Sequence, residues 1–202
     1  MPSPSAPFPA DTLLLCVDMQ PVFVDVVAGG HTVQRRCEFA VAAAAGLGLP
    51  VAFTEQVPEK LGATVPALRA LAPQAPVWSK QTFSALADEG IAGALQERGV
   101  RQLLLGGVET PVCVYQTAIG ALARRLEVTV LSDCVGARRP DDAAACLAEL
   151  ARLGAHLLPA ETVFYALIGS PVHPFFRAYT RLVKAYHAAA TGAAPAAPRS
   201  HA

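Results

Sequence analysis

Short apolar runs rich in leucine and valine alternate with longer helical patterns, and this alternation constrains the fold more than any other feature of the chain. Parallel strands buried on both faces have near-continuous apolar sequences, and helices connect them. The pattern predicts strands at 12–18, 50–54, 76–79, 102–107, 127–132 and 155–158. It predicts helices near 31–47, 88–98, 111–125, 139–154, 161–169 and 174–189. We therefore expect a three-layer α/β/α fold around a mostly parallel six-stranded sheet.

The length of 202 residues suits one α/β domain, which we place at 11–190, between an N-terminal extension at 1–10 and a flexible tail at 191–202. The formal net charge of zero gives no reason to expect nucleic acid or an acidic membrane as a partner. The longest uncharged stretch, 39–54, contains two glycines and a proline, so it does not predict a membrane span. Without a signal-peptide pattern, we expect a cytoplasmic protein whose five cysteines stay reduced.

Cys113 follows an apolar strand, two glycines and a Thr-Pro pair, at the predicted start of a helix. We interpret Thr110 as the N-cap and Pro111 as the first helical residue. The helix dipole and the free backbone N–H groups of a first turn lower the pKa of a thiol and favour the nucleophilic thiolate. The segment thus predicts a reactive cysteine, with a small buried hydrophobe as the alternative.

Two charged residues stand where other apolar strands end. Asp18 closes the first predicted strand, and Lys80, one of three lysines in the chain, follows the third. The carboxyl ends of parallel strands share one edge of a sheet, and ligands bind there at a switch in strand order. Both residues are therefore candidate site residues. The alternatives are a helix-capping carboxylate for Asp18 and an exposed loop charge for Lys80.

Three segments carry a resemblance to a known family: LCVDMQPVF at 15–23, SKQTFS at 79–84 and GGVETPVCV at 106–114. In this order and spacing the chain resembles the isochorismatase-like cysteine hydrolases over roughly residues 10 to 185. Within that family it is most similar to the small isochorismatase-domain-containing proteins of unsettled substrate. The resemblance implies the Rossmann-like fold of these hydrolases.

The resemblance also implies a catalytic triad of Asp18, Lys80 and Cys113, in which the thiol attacks a carbonyl carbon and forms a thioester. Asp18 would accept the thiol proton, and Lys80 would be the cation that favours the thiolate. The resemblance further implies an oxyanion hole built from the backbone N–H groups of Glu109 and Cys113, with a cis peptide bond between Val108 and Glu109.

The substrate pocket should be mostly apolar with a few placed polar groups. We expect it to be lined by four residues from these motifs and from the loop at 55–64: Gln20, Phe23, Gln56 and Phe83. Trp78 is an alternative to Phe83 as the apolar wall, and packing in the core is the alternative for Phe23.

Nicotinamidases of this family carry an Asp-x-His set of metal ligands after their second strand, whereas the stretch at 54–60 reads TEQVPEK, without histidine. No other metal-ligand spacing is visible, so we expect neither a metal nor another cofactor. The predicted function is a cysteine-dependent hydrolase that cleaves a small amide or a related acyl C–N bond. A vinyl-ether hydrolase that does not need the cysteine and a catalytically silent binding protein of the same fold are the alternatives.

Alanine-rich helix surface at 42–45 and 143–145, together with the family resemblance, predicts a homo-oligomer. Cys134 is placed at the end of its strand, where it could face the crevice. The remaining cysteines are interpreted as inert packing residues: Cys16, Cys37 and Cys146.

Overall fold

Six parallel strands form the central sheet of the computed structural model, which describes residues 11–191 and their side chains through residue 187. The strands are β1 (Thr12–Val17), β2 (Val51–Gln56), β3 (Val77–Lys80), β4 (Gln102–Val108), β5 (Glu127–Gly136) and β6 (His156–Leu158). Their order is β3-β2-β1-β4-β5-β6, and every neighbouring pair is parallel. The predicted α/β architecture is confirmed, and the sheet is parallel throughout.

Nine α-helices are found within the described residues, and the longer ones lie close to their predicted positions. They are α1 (Pro21–Val24), α2 (Gly30–Leu47), α3 (Pro58–Leu61), α4 (Pro66–Leu71), α5 (Glu89–Glu97), α6 (Tyr115–Ala123), α7 (Pro140–Arg152), α8 (Ala160–Ile168) and α9 (Phe176–Thr191). The short helices α1, α3 and α4 were not predicted. Each begins with a proline, which suits the first helical position because no N–H is needed there.

The strand β5 continues four residues beyond its predicted end at 132. The chain stays extended through Gly136, with an irregularity in its pairing to β4. The strand β2 is also longer than predicted, since Glu55 and Gln56 are buried by hydrogen bonds to neighbouring segments. In β2, hydrogen bonds to other segments bury two polar residues that the prediction placed after the strand. In β5, Asp133 is half-buried and pairs with Arg36 of α2.

Alternate side chains of β1 reach the two faces of the sheet and define the layers. Leu14 and Cys16 lie in the core formed with α2, α8 and α9. Leu13, Leu15 and Val17 lie in the opposite core, with α5, α6 and α7. Both faces of the sheet are therefore covered, as the unbroken apolar sequences of the strands require.

Gly107 brings the ends of β1 and β4 together. It pairs with Val17 and has a φ of +123°. A Cβ atom at this position would lie 2.0 Å from the carbonyl oxygen of Val17. Only glycine fits both the backbone angle and the close approach of the two strands, and the residues after these strands become neighbours as a result.

The predicted extension at 1–10 lies outside the described residues, and so does the predicted tail at 191–202 apart from Thr191, which ends α9. The boundaries of the predicted domain, 11–190, therefore stay a prediction. None of the helices within residues 11–191 is both long enough and apolar enough to cross a membrane.

Candidate active site

The strand order reverses between β1 and β4, and the predicted triad residues meet at the carboxyl edge of the sheet around this switch point. Asp18 directly follows β1, Lys80 is the last residue of β3, and Cys113 lies just beyond β4. All three residues are buried. Three distant segments thus place an acid, a cation and a thiol in one location.

Asp18 and Lys80 form an ion pair that is wholly removed from solvent. Lys80 Nζ lies 2.6 Å from Asp18 Oδ2, and both side chains are 0% exposed. The other carboxylate oxygen, Oδ1, accepts a hydrogen bond of 2.7 Å from the hydroxyl of Thr54. Asp18 has a φ of +49°, the left-handed region that non-glycine residues rarely occupy, and this backbone turn directs its side chain from the end of β1 into the site.

The ammonium group of Lys80 is surrounded by acceptors. Besides Asp18, it donates to Gln56 Oε1 at 2.6 Å and to the carbonyl oxygen of Thr82 at 3.2 Å. Gln56 is held in turn by donation from its Nε2 to the carbonyl oxygen of Gln81. Because a buried ammonium is stabilised only when it is paired and hydrogen-bonded, these contacts fix the cation next to Asp18.

Cys113 lies in a five-residue π-helical segment, Thr110–Val114, that leads into α6. The interpretation of Thr110 as the N-cap was wrong: Glu109 occupies the cap position, Thr110 is the first helical residue and Pro111 the second. The hydroxyl of Thr110 is buried without a hydrogen-bond partner among the described residues. The widened turn is closed by the carbonyl oxygen of Glu109, which accepts from the backbone N–H groups of Val112 and Val114.

The thiol of Cys113 is not the acidic group that its place near a helix start predicted. Burial, followed by the negative charge of Asp18, raises the pKa of Cys113 to about 12. The cation of Lys80 lowers this pKa, but its effect is smaller than the combined effect of burial and Asp18. The resting thiol is therefore neutral, and it interacts with both members of the ion pair.

A cavity of about 270 Å³ opens beside the thiol. It is lined by Phe23, Gln56, Phe83, Val108, Glu109, Val112, Cys113 and Arg138. Three of the four residues proposed to bind substrate are among them, and Phe83 rather than Trp78 supplies the aromatic wall. Trp78 instead packs against the core on the α5 side of the sheet.

Gln20, the fourth residue expected in the pocket, does not line it. Its side chain is fully buried and forms hydrogen bonds with the last residue of β2 and with the loop after that strand. Its Nε2 donates to the carbonyl oxygens of Gln56 and Gly62, at 3.0 and 2.6 Å, and its Oε1 accepts from the backbone N–H of Gln56 at 2.8 Å. Gln20 therefore holds Gln56 in place, and Gln56 is the single residue of the 55–64 loop that reaches the cavity.

The peptide bond between Val108 and Glu109 is cis, at the position that the resemblance implied. The carboxylate of Glu109, for which the sequence suggested no role, pairs with Arg138 at 3.0 Å. Sequence reasoning missed Arg138 and also Thr54, the hydrogen-bond donor to Asp18. Arg138 is the second residue after the observed end of β5, so a search for charged residues near strand ends would have reached it had the strand been predicted at its full length.

The other predicted features of the region fall outside the cavity. Cys134 is fully buried on the α2 side of the sheet, where its carbonyl oxygen accepts a hydrogen bond from the thiol of Cys37, so its placement near the crevice was wrong. The strand runs on past Cys134, which leaves that residue inside the sheet. Across residues 11–191, no group of three or more His, Cys, Asp and Glu side chains is arranged to hold a metal ion.

Comparison with known proteins identifies the class of domain. The family model for the isochorismatase domain matches residues 12–162, and the chain belongs to this family. Isochorismatase domain-containing protein 1 of Salmo salar is 33% identical over 184 residues, which cover 88% of this chain. The match spans 62% of the length of that relative.

Two solved structures share the fold over most of their length. The structure of the MAR1 ribonuclease from Caenorhabditis elegans has a TM-score of 0.81 and 30% identity, covering 87% of this chain and 90% of that one. YcaC from Pseudomonas aeruginosa, solved with hexane-2,5-diol and covalent acrylamide, has a TM-score of 0.78 and 25% identity, covering 88% and 95% of the two chains.

Proposed function

We propose that this chain is a cysteine-dependent hydrolase that cleaves a small amide or a related acyl C–N bond. The observation that carries the proposal is the position of the Cys113 thiol, near enough to the buried Asp18–Lys80 pair for both charges to shift its pKa and beside a cavity of about 270 Å³. Ligand pockets commonly measure ~300–1,000 Å³, so this cavity suits a small substrate.

In the first half of the reaction, the sulfur of Cys113 attacks the carbonyl carbon as its proton passes to a carboxylate oxygen of Asp18. The raised pKa of the thiol makes this transfer necessary, because almost no thiolate exists at rest near neutral pH. Lys80 stays beside the site and offsets the negative charge as it moves to the sulfur. The carbonyl oxygen becomes an oxyanion in the tetrahedral intermediate.

We propose that the backbone N–H groups of Glu109 and Cys113 donate to that oxyanion, as preorganised donors do in other hydrolases. Collapse of the intermediate breaks the C–N bond, and Asp18 returns its proton to the leaving nitrogen. A thioester on Cys113 remains. Water then attacks the thioester carbon while Asp18 takes a proton from it, which releases the carboxylic acid and regenerates the thiol.

The proposal is tested by measuring hydrolysis of a panel of small amides and esters by the wild type and the Cys113→Ala variant. Cys113→Ala should abolish turnover and remove the acyl-enzyme mass adduct seen in rapid-quench mass spectrometry. Cys146→Ala is the matched control, because Cys146 lies on α7, away from the cavity. Absence of turnover and of any adduct across the panel would instead support a silent binding protein.

A vinyl-ether hydrolase is the second candidate, and the high pKa of the Cys113 thiol favours it. A thiol that stays protonated is compatible with a bystander, while Asp18 alone supplies acid–base chemistry. The two candidates differ in one pattern. A vinyl-ether enzyme keeps its activity in Cys113→Ala and loses it in Asp18→Asn, whereas the thioester mechanism loses activity in both.

The ribonuclease activity named for the C. elegans structure is not part of our proposal. Binding of RNA depends on an excess of positive charge on the protein surface, and this chain has a formal net charge of zero. At the cavity, moreover, the cation of Arg138 is paired with Glu109.

We also propose that the protein forms a homo-oligomer. Ala43 and Ala44 are buried in the protein's own core, which removes half of the expected 42–45 surface, whereas Ala144 and Ala145 on α7 are exposed. Val22, Val26 and Phe83 are likewise 45%, 55% and 54% exposed, and Phe83 is at the cavity. A second copy of the chain covering such apolar surface would stabilise it and narrow the pocket mouth.

A further inference from the structure

Three buried thiols lie together in the core on the α2 side of the sheet. Cys16 of β1, Cys37 of α2 and Cys134 of β5 belong to this core, and none of them is more than 1% exposed. The cysteine of the proposed mechanism, Cys113, lies in the opposite core. The hydrolysis proposed above therefore leaves these three thiols without a role.

Gly106 of β4 makes room for the three thiols. It pairs with Cys16 of β1, and β5, which carries Cys134, is the next strand on its other side. A Cβ atom at Gly106 would lie 3.2 Å from Cys134 Cβ and 3.6 Å from Cys37 Sγ. The sulfur of Cys37 thus lies over a position without a side chain, and a strand bearing a cysteine flanks that position on each side.

The thiols of this cluster differ in how readily they ionise. Cys37 Sγ lies 3.2 Å from the carbonyl oxygen of Cys134, to which the neutral thiol donates. Hydrogen bonding with the Cys134 thiol and, to a smaller extent, with the Cys16 thiol lowers the pKa of Cys37. Burial raises the pKa of Cys134. Cys37 is therefore the first to become a thiolate, which is the form that reacts with oxidants, while Cys134 stays a neutral thiol near it.

We propose that Cys37 and Cys134 are an oxidation site, at which a small hydroperoxide converts the two thiols into a disulfide bond. The sulfur of Cys37 attacks one oxygen of hydrogen peroxide, the O–O bond breaks, and hydroxide leaves and takes up a proton as water. Cys37 is then a sulfenic acid. The sulfur of Cys134 attacks the sulfur of Cys37, the S–O bond breaks, and a second water leaves. The two thiols are oxidised and the peroxide is reduced.

Asp133 is placed to assist the second step. Its Oδ1 accepts a hydrogen bond of 3.6 Å from the thiol of Cys134 and can pass that proton to the leaving hydroxyl group. The oxidant must be small, because the thiols are almost wholly removed from solvent. The proposal does not depend on the proposed hydrolysis, since Cys113 takes no part in it.

The test uses the fact that trypsin places the three cysteines in separate peptides. Cleavage after arginine and lysine releases residues 1–35 with Cys16, 37–60 with Cys37 and 126–138 with Cys134. The native protein is treated with hydrogen peroxide, alkylated in denaturant without a reductant, digested and analysed by mass spectrometry. Most of the 37–60 peptide should be recovered joined to 126–138, lighter than the sum of the two by the hydrogen atoms lost, while Cys16 is alkylated.

Two variants separate the roles of the neighbouring thiols. Cys134→Ala should lose the linked peptide and leave Cys37 as a sulfenic acid that dimedone traps. Cys16→Ala is the matched control and should still form the bridge. Full alkylation of Cys37 and Cys134 in the peroxide-treated wild type overturns the proposal, and so does a bridge from Cys37 to Cys16 in place of Cys134. The wild-type digest decides the matter even if a variant fails to fold.

Oxidised glutathione shows whether the bridge forms in the folded protein. It is too large to enter a closed core, so it should leave the three buried thiols free to be alkylated after denaturation. If it produces the linked peptide as fast as hydrogen peroxide does, the bridge forms in unfolded chains, and the assignment of the site to the folded core is wrong.

Discussion

Replacing Asp18 with Asn should move two properties of Cys113 in opposite directions: alkylation of the thiol becomes faster while turnover is lost. The Asp18 carboxylate raises the pKa of the thiol and the Lys80 cation lowers it. Asn removes the negative charge and leaves the cation, so the pKa falls and the thiolate fraction rises. The amide also fits, since its oxygen can accept from Lys80 while its NH₂ group donates to the hydroxyl of Thr54.

The size of the effect follows from the charges. At pH 8, a thiol with a pKa of about 12 is ionised in about one molecule in 10⁴, against about one in ten at the ordinary value of 9.0. Two unit charges ~4 Å apart at an effective permittivity of ~20 interact by about 4 kcal/mol, and ~1.36 kcal/mol changes the thiolate fraction tenfold. Burial persists in the variant, and removing the Asp18 charge raises the thiolate fraction by up to about a thousandfold. Because a thiolate of lower pKa is also a weaker nucleophile, with a Brønsted slope of ~0.4–0.5, we expect alkylation to be about ten- to a hundredfold faster.

The assay is iodoacetamide labelling of the native protein between pH 6 and 10, with the Cys113 peptide quantified by mass spectrometry. Cys146, on α7, serves as the internal control and should react equally in both proteins. Turnover of Asp18→Asn should fall by roughly 10²–10⁴, the usual contribution of a general base. Slower or unchanged labelling of Cys113 in the variant would refute the view that Asp18 keeps the thiol protonated.

Three further outcomes are expected from the structure. Lys80→Met should lower the free energy of unfolding, measured in urea, by about 3–5 kcal/mol, because it leaves the Asp18 carboxylate buried without its cation. The double variant Asp18→Asn/Lys80→Met should recover part of this loss. Gly107→Ala should lower the free energy of unfolding by more than about 3 kcal/mol, because the added Cβ would lie 2.0 Å from a backbone oxygen. As the control, Gly93→Ala has no atom within 4 Å of its added Cβ, so it should leave this free energy unchanged or raise it by up to about 1 kcal/mol. Val26→Glu should reduce the molecular mass measured by light scattering if the exposed apolar surface joins subunits, and a wild type that is monomeric at micromolar concentration would contradict self-association.

Much of the fold could be predicted because parallel strands buried on both faces leave a clear apolar signal. The same signal located Asp18 and Lys80, since a charged residue at the end of such a strand or directly after it lies at the carboxyl edge of the sheet. The ends of β2 and β5 were predicted too early. Gln56 and Asp133 are polar residues held within strands by partners elsewhere in the chain, and the early end assigned to β5 hid Arg138.

The charge state of Cys113 could not be obtained from its own segment. The local pattern of Thr110, Pro111 and Cys113 predicted an acidic thiol, because a helix start favours an anion. The pKa of the thiol is instead set mainly by burial and by the carboxylate of Asp18, which follows β1, 95 residues earlier in the chain. Burial of the thiol and its distance from Asp18 are determined only when the sheet is assembled, so they cannot be predicted from the periodicity of the sequence.

In the proposed mechanism, the buried site keeps a constant net charge throughout the reaction. At rest the Lys80 cation faces the Asp18 carboxylate and a neutral thiol. Proton transfer moves the negative charge to the sulfur of Cys113, and attack moves it on to the carbonyl oxygen, while the same cation remains in place. Because no step adds an unpaired charge to a site removed from water, the desolvation penalty of an isolated ion is avoided at each stage. The high pKa of the thiol is then no obstacle: it keeps the proton on the sulfur until a carbonyl carbon is present to accept the electron pair.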